Sequence, residues 1–471
     1  MVAILPRGEA IRNFVYSGSL NEVARKVDLT LLSVMPDEAF ADVLRSCSDS
    51  VIPLHEIPER HFVGSLRELL DMAHGRWLWS EAARERWRLR DAEASEPAAR
   101  LKRSLMKTCC YPFANPRGLR VLSWIERRTS RAFCTSDEYI RLFQKLKPAL
   151  VFNGSHVHSR VAIQAVQAAQ WLGIPTAAFI FSWDNLTSQG RIMPPYDYYF
   201  VWNESIRNQL LEIYDSVKPE QILVTGTPQF DFHFRNEFHW SREEFCMKVG
   251  ADPSRPIVLY STGMANHTLG EPAVVERIGA LLRGMKDLGS PQLLVRVYPK
   301  DLTGRFEQVK LKNPDILFPK IPWEPNWLTP RLEDAHLLTN MLRHAALGIN
   351  IASTISLELC MFDKPVINVG YQLPEVKLRP EDFDYCRYYE FDHYRPIVES
   401  GAIGLARSEF QLQQLVRQAL TRPEENALQR RKLVNKMFGD TLDGYSGLRV
   451  ADRLITLARI GAENHEKELV W

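Results

Sequence analysis

Three hydroxyl residues and a carboxylate, Ser353, Thr354, Ser356 and Glu358, stand between two apolar runs, Leu347–Ala352 and Pro365–Val369. Hydroxyls beside the unpaired N–H groups and positive dipole end of a helix suit a phosphate or diphosphate. A carboxylate two residues past Ser356 can accept hydrogen bonds from ribose or sugar hydroxyls. The same residues also describe an ordinary serine N-cap followed by a solvated glutamate. The two apolar runs read as buried parallel strands, and the piece between them is long enough for a crossover helix. The segment is therefore a βαβ unit with an anion site at its turn.

That unit is one of many. In the first half, strand candidates at Val2–Leu5, Leu29–Met35, Val51–Ile57, Ala149–Asn153, Thr176–Phe181, Tyr198–Trp202 and Ile222–Thr225 are separated by helical stretches. Between two of them Val161, Ala165, Ala168 and Leu172 recur at helical spacing, and Gly173-Ile-Pro175 stops the helix. After the turn Asp252-Pro-Ser-Arg-Pro256 the alternation restarts with Ile257–Ser261, Leu293–Val297, Ile316–Phe318, Leu347–Ile351, Val366–Val369 and Ile403–Ala406. The fold class is α/β, with two doubly wound domains whose boundary falls near 240–255. Two such domains facing each other leave a cleft at the carboxyl ends of their strands, where ligands normally sit. The division expected is 1–245, 246–422 and a charged helical tail over 423–471.

The chain has 471 residues, 45% hydrophobic and 25% charged, which is ordinary for a folded protein long enough for two domains. Seven cysteines, an odd number without paired spacing, argue against a disulfide framework and fit a reducing compartment. Cys109 and Cys110 lack a second pair or a nearby His at zinc-ligand spacing and read as packing residues; no metal site is visible. The amino terminus is too short and too early in charge for a signal peptide, and no apolar run approaches the roughly 18 residues of a spanning helix. The expected location is cytoplasmic. There is no GxGxxG and no GxxxxGK[ST], so the fingerprints of dinucleotide binding and P-loop hydrolysis are missing.

The net charge of +2 is unevenly spread: residues 74–131 hold fourteen Lys and Arg against six Asp and Glu, a surplus of eight. Trp77, Trp79, Trp87, Tyr111, Phe113 and Trp124 interleave with these arginines, the composition of a surface that lies against anionic headgroups. An amphipathic helix pair has the same composition. No nucleic-acid-binding motif accompanies it, and nucleic acid is not an expected partner.

From about Lys147 to Gly370 the order of motifs resembles the GT-B fold glycosyltransferases, in the branch that also holds the non-hydrolysing UDP-N-acetylglucosamine 2-epimerases and surface-carbohydrate biosynthesis proteins. Val151-Phe-Asn-Gly-Ser-His-Val-His158 followed by Leu172-Gly-Ile-Pro175 looks like the family's strand, loop, helix and next strand entry. Val224-Thr-Gly-Thr-Pro228 is similar to the recurring V-x-G-x-P ending of the first domain. In the second half, Val258-Leu-Tyr-Ser-Thr-Gly263 resembles the first strand and turn of the donor domain. Val295-Arg-Val-Tyr-Pro-Lys300 resembles its R-x-H-P strand end, with Tyr298 where His is common. Glu333-Asp-Ala-His336 and the segment holding Ser353 and Glu358 complete the pattern. The first 146 residues match only loosely, through Arg12-Asn13.

The resemblance implies a nucleotide diphosphate-sugar on the second domain. Gly263 would let backbone approach the phosphates, Ser353, Thr354 and Ser356 would cap them, and Glu358 would take the ribose. Arg296 would offset the diphosphate charge without a metal, with Lys300 and His267 near it. Trp323 would stack on the base or simply anchor a Pro-rich loop. The first domain would supply the acceptor and a general base, with Asp184 the first candidate and His156 and His158 behind it. Asp184 next to Asn185 also fits a turn or helix cap.

The activity expected is glycosyl transfer from a nucleotide-sugar, without a cofactor, to a surface-polysaccharide, lipopolysaccharide or lipid-linked acceptor, with peripheral membrane contact through 74–131. A UDP-N-acetylglucosamine 2-epimerase, a CDP-glycerol-type polyol phosphate transferase and a non-catalytic scaffold of the same fold are the alternatives.

Overall fold

The first strand of the chain, β1 (Val2–Leu5), is buried along its whole length, and parallel partners cover both of its edges. The computed structural model describes residues 1–35, 38–133, 136–157, 160–325 and 328–469. Around β1 a parallel seven-stranded sheet runs in the order β3 (Ser50–Pro53), β2 (Thr30–Ser33), β1, β4 (Val151–Asn153), β5 (Thr176–Phe179), β6 (Tyr198–Val201) and β7 (Ile222–Val224). Helices cover both faces of such a sheet, so its central strands are continuous apolar runs without alternation. Phe14 meets the rings of Phe152 and Phe179 edge-on at 5.2 Å beneath β4 and β5.

A second parallel sheet has the order β14 (Gly404–Ala406), β13 (Val366–Val369), β12 (Leu347–Asn350), β8 (Ile257–Ser261), β9 (Gln292–Arg296). The strand expected over 316–318 is reduced to one bridge from Leu317 to Leu294. A small antiparallel pair, β10 (Trp323–Glu324) and β11 (Thr329–Pro330), stands apart. The helix Ile355–Met361 lies so close on β12 that a Cβ at Gly348 would fall 2.0 Å from Leu359 Cδ1.

Each sheet centres one compact unit. One unit comprises Met1–Arg84, Ala94–Asp231 and the residues from Thr441 onward, and the other comprises Glu85–Glu93 and Phe232–Asp440. The expected boundaries at 245 and 422 are displaced. The chain enters the second unit after Asp231, and the tail is divided, with the helix Ala427–Phe438 in the second unit and the helix that starts at Ser446 in the first. The division follows from packing: Asp231 accepts hydrogen bonds from the backbone N–H of Ser446 (3.0 Å) and Gly447 (2.7 Å), and Ser19 Oγ donates to Gly447 O (2.9 Å).

Between β3 and β4 the regular elements among the described residues are helices, including His61–Leu78, Pro97–Cys110 and Pro116–Phe133. Two of the three begin with proline at the first helical position, where its missing N–H costs nothing. Arg67 joins two of these helices, giving Nε to Glu126 (2.7 Å) and Nη2 to Ser130 Oγ (2.9 Å). Cys110 packs inside as expected, whereas Cys109 is exposed.

Candidate functional site

Strand order places the candidate site. From β8 the chain moves outward to β9, whereas β12, β13 and β14 extend from the other side of β8, so the direction of winding reverses between β8 and β12. In an open parallel sheet the loops at such a reversal part and leave a crevice at the carboxyl ends of the strands. The two loops that flank it are the one after β8, holding Gly263 and His267, and the one after β12, holding Ser353 and Thr354.

The second loop turns on Ala352, whose φ of +36° lies in the left-handed region that side chains with a Cβ rarely adopt. Asn350, the last residue of β12, holds this turn, its Oδ1 accepting from Ser353 N (3.2 Å), Ser356 Oγ (3.0 Å) and Asn368 Nδ2 (3.0 Å). Tyr394 OH completes the network with bonds to Asn368 Oδ1 (2.8 Å) and Ser356 Oγ (3.0 Å). Ser353 and Thr354 are half-buried at the crevice, and Ser353 Oγ accepts from Ile355 N (3.3 Å).

Ser356 departs from expectation: it is fully buried, and its hydroxyl serves the network, not a phosphate. The network residues Asn350, Asn368 and Tyr394 were missed, although two carried a signal. Asn350 and Asn368 are polar residues in apolar strand runs, and they are register partners on β12 and β13. Glu358 is also deeper than a ribose ligand needs. Only 7% exposed, it takes a hydrogen bond at Oε2 from His233 Nε2 (2.9 Å), and His233 Nδ1 meets Thr339 Oγ1 (2.9 Å).

The loop after β8 is clamped from below. Glu271, wholly buried, accepts from Gly263 N (3.0 and 3.1 Å), Tyr260 OH (3.0 Å), Thr268 Oγ1 (2.8 Å) and Arg305 Nη2 (2.7 Å). Burial raises the Glu271 carboxyl above its ordinary range, and Arg305 opposes that rise. Gly263 is small for packing, since a Cβ there would meet Thr268 Cγ2 at 2.6 Å. His267 stacks on Phe383 with ring centres 4.7 Å apart, and its Nδ1 lies 2.5 Å from Tyr388 OH. Burial lowers its pKa, which favours the neutral ring.

Arg296 and Trp323 are drawn elsewhere. Arg296, 5% exposed, pairs with Asp334 through Nη1 (2.8 Å) and Nη2 (2.9 Å), and Trp323 Nε1 donates to the same carboxylate (2.6 Å). Of the two readings of Trp323, the indole acts as an anchor for β10. Arg296 is a buried structural cation, because a guanidinium buried at the end of β9 needs a carboxylate partner.

In the first unit winding reverses between β1 and β4. His156 lies just past β4 at that reversal, half-buried, with Nδ1 3.2 Å from Phe179 O. A carbonyl can only accept, so Nδ1 carries the proton and Nε2 is the basic nitrogen. Asp184 lies after β5 at the N-cap of the short helix Asn185–Ser188, where its carboxylate makes no cap bond to backbone and takes the hydroxyls of Ser182 and Ser188 (2.6 Å to the latter) in its own loop. His158 lies outside the described residues. The turn after β1 adds a pair that was overlooked: Arg7 Nη2 donates to Glu9 Oε1 (2.6 Å), and Arg7 Cζ stands 4.6 Å from the Phe181 ring centre. Their signal was position alone, in the first turn after the first strand. Among the described residues no group of three or more His, Cys, Asp and Glu is placed to hold a metal ion.

No protein-family model matches the sequence, and no curated protein matches it. Among solved structures the chain is similar to an MnaA–UDP co-structure from S. aureus, at 12% identity and a TM-score of 0.51, covering 96% of this chain and 95% of that one. It is similar to a crystal structure of UDP-N-acetylglucosamine 2-epimerase at 14% identity and a TM-score of 0.51, over 97% of this chain and 94% of the other. A putative UDP-N-acetylglucosamine 2-epimerase from Listeria monocytogenes matches at 14% identity and a TM-score of 0.53, over 99% and 96% of the two chains. Identities this low carry fold alone. The fold is the GT-B pair of Rossmann-like domains that the sequence resemblance implied, and it extends through the first 146 residues, where the sequence match was loose.

Proposed function

We propose that the chain is a nucleotide-sugar enzyme of the glycosyltransferase kind, which takes its donor at the β8/β12 reversal and passes the sugar to a surface-polysaccharide, lipopolysaccharide or lipid-linked acceptor. The observation that supports this most is the half-buried Ser353–Thr354 turn, forced into place by Asn350 and by the left-handed Ala352 at the switch point of the second sheet. A strained turn at that point is the kind of feature retained for a ligand. The donor's diphosphate would lie against the backbone N–H groups and hydroxyls of Ser353 and Thr354, with the neutral His267 ring on the other loop as a hydrogen-bond donor. In the first unit His156, just past β4 at the switch point, and Asp184, which accepts two hydroxyls of its own loop, are the candidate bases. Contact of residues 74–131 with an anionic membrane belongs to the same proposal; no helix among the described residues is long and apolar enough to cross one.

UDP is the first nucleotide to test, since the S. aureus MnaA structure is a co-structure with UDP. A ligand that binds only the folded state raises the melting point by mass action. Among UDP, CDP, CMP, GDP and dTDP, UDP should raise it most, and Ser353→Ala should shrink that rise while leaving the unliganded melting point within about a degree. Equal silence from all five nucleotides would end the proposal.

A 2-epimerase is the second reading, favoured by the names of two structural neighbours. Against it stands Ala352-Ser-Thr-Ile355, where the epimerases have Asp-Ser-Gly-Gly. Incubation with UDP-N-acetylglucosamine alone separates the two, because only an epimerase yields the manno product without an acceptor.

A further inference from the structure

A cavity of about 650 Å³ lies in the first unit, among residues that precede β5, β6 and β7, and so at the amino-terminal edge of the sheet, away from the His156 loop. The helix Pro116–Phe133 forms one wall, and Arg120, Trp124, Arg127, Arg191, Tyr199 and Tyr214 face the space. Arg191 is held there on purpose-built backbone. Its N–H donates to Asp71 Oδ1 (3.0 Å), and a Cβ on the preceding Gly190 would fall 2.1 Å from that oxygen.

The Arg191 guanidinium then meets only neutral partners. Nε donates to Ser123 Oγ (3.1 Å), Nη1 lies 3.2 Å from His74 Nδ1, and Cζ stands 5.0 Å from the Tyr214 ring centre. Among the described residues neither Arg191 nor Arg127 forms an ion pair; Arg120 shares Asp215 at 3.3 Å near the surface. The acids in the wall are engaged elsewhere, Glu126 by Arg67 (2.7 Å) and Asp197 by Thr176 (2.8 Å). Burial lowers the Arg191 pKa; Tyr214, Asp215 and Tyr199 oppose that fall in part, and the charge of Arg127 adds a smaller share to it, which an anion between the two guanidiniums would offset.

We infer that this cavity is a binding site for a phosphate-bearing anion, gripped by Arg127 and Arg191. Arg191 is half-buried with no carboxylate among the described residues in ion-pair contact, and two guanidinium forks around one space match the oxygens of phosphate better than any neutral group. The surroundings suggest where the phosphate would come from. An exposed stripe of the same helix carries Arg117, Val121, Trp124, Arg128 and Arg131 at helical spacing and meets the cavity at Trp124, which is 53% exposed, with Arg128 Cζ 5.2 Å from its ring centre. The phosphate is that of a membrane headgroup or of a soluble compound, and the chemistry of the grip is the same for both. The site is separate from the donor crevice of the second unit and does not depend on it.

The test uses the full chain with inorganic pyrophosphate, titrated by calorimetry, and flotation with phosphatidylglycerol or phosphatidylcholine vesicles. Arg127→Ala and Arg191→Gln should each weaken pyrophosphate binding about tenfold or more at this site, while leaving the rise in melting point with UDP unchanged. Arg127 is exposed, so its loss does not endanger the fold if Arg191→Gln does. Flotation with phosphatidylglycerol but not phosphatidylcholine, lost in Arg127→Ala and competed by pyrophosphate, identifies a headgroup. Pyrophosphate binding that is lost in Arg127→Ala, without flotation, identifies a soluble ligand. Binding that survives Arg127→Ala and vanishes in Ser353→Ala assigns the anion to the donor loop and overturns the inference, as does the absence of both pyrophosphate binding and flotation.

Discussion

At the scale of single residues, hydrogen-bond valence separates positions that hold the fold from positions open to a ligand. Ser353 and Ser356 are three residues apart and equally suited to phosphate on paper, yet Ser356 has three polar side chains around its hydroxyl and no exposed surface. Glu358 shows the same effect through His233. Removing one partner of a buried polar pair leaves the other to bear its desolvation, about 1–3 kcal/mol. Glu358→Ala should therefore lower unfolding stability by about 1–3 kcal/mol, and Glu358→Gln, which keeps an acceptor for His233, should restore about half or more of that loss in urea titrations. An unchanged urea midpoint in Glu358→Ala would return this carboxylate to the ligand.

At the scale of elements, the motif Val224-Thr-Gly-Thr-Pro228 is explained by docking. Gly226 has φ of +77°, and a Cβ there would lie 2.4 Å from Ser446 Oγ, so the strand ending is shaped to receive the start of the last helix. Asp231 completes the dock by accepting the N–H groups of Ser446 and Gly447. Burial raises its carboxyl to about 6 from 3.8, against the hydrogen bonds that lower it. A folded-state pKa above the unfolded one means a stabilising contribution that is complete below about pH 4 and lost as pH rises through about 6. The interval of about two units corresponds to roughly 3 kcal/mol. Compared with Asp231→Asn, the wild type should lose up to roughly that amount of unfolding free energy between pH 4 and pH 7. Parallel pH profiles for the two proteins would show that the carboxyl does not titrate in that window.

At the scale of the whole molecule, the chain passes from the first unit into the second and returns, so the first unit is completed only by its last segment. The helix beginning at Ser446 packs on the helix Ser19–Ala24, and a Cβ at Gly461 would fall 2.0 Å from Ala149 O. Truncation after Asp440 should thus destabilise the first unit, with loss of the cooperative transition followed by β1-region amides in hydrogen exchange. The rise in melting point with UDP, carried by the second unit, should survive. A truncated chain whose first unit keeps full exchange protection would contradict this account of the helix.

Strand positions were legible because a parallel sheet covered on both faces demands unbroken apolar runs, and the thirteen runs of the sequence reappear as twelve strands and one bridge. The turn carrying Ser353 and Thr354 was legible for a related reason, since a βα turn leaves a local mark of hydroxyls. Side-chain partners across the fold were not. Whether Arg296 meets a phosphate or Asp334, and whether Glu358 meets a ribose or His233, depends on residues 38 and 125 positions away. The unpaired Arg191 was equally invisible. Sequence fixes which residues a local turn presents, while the desolvation of each charge, and with it the partner that charge must find, is set only when distant segments close around it.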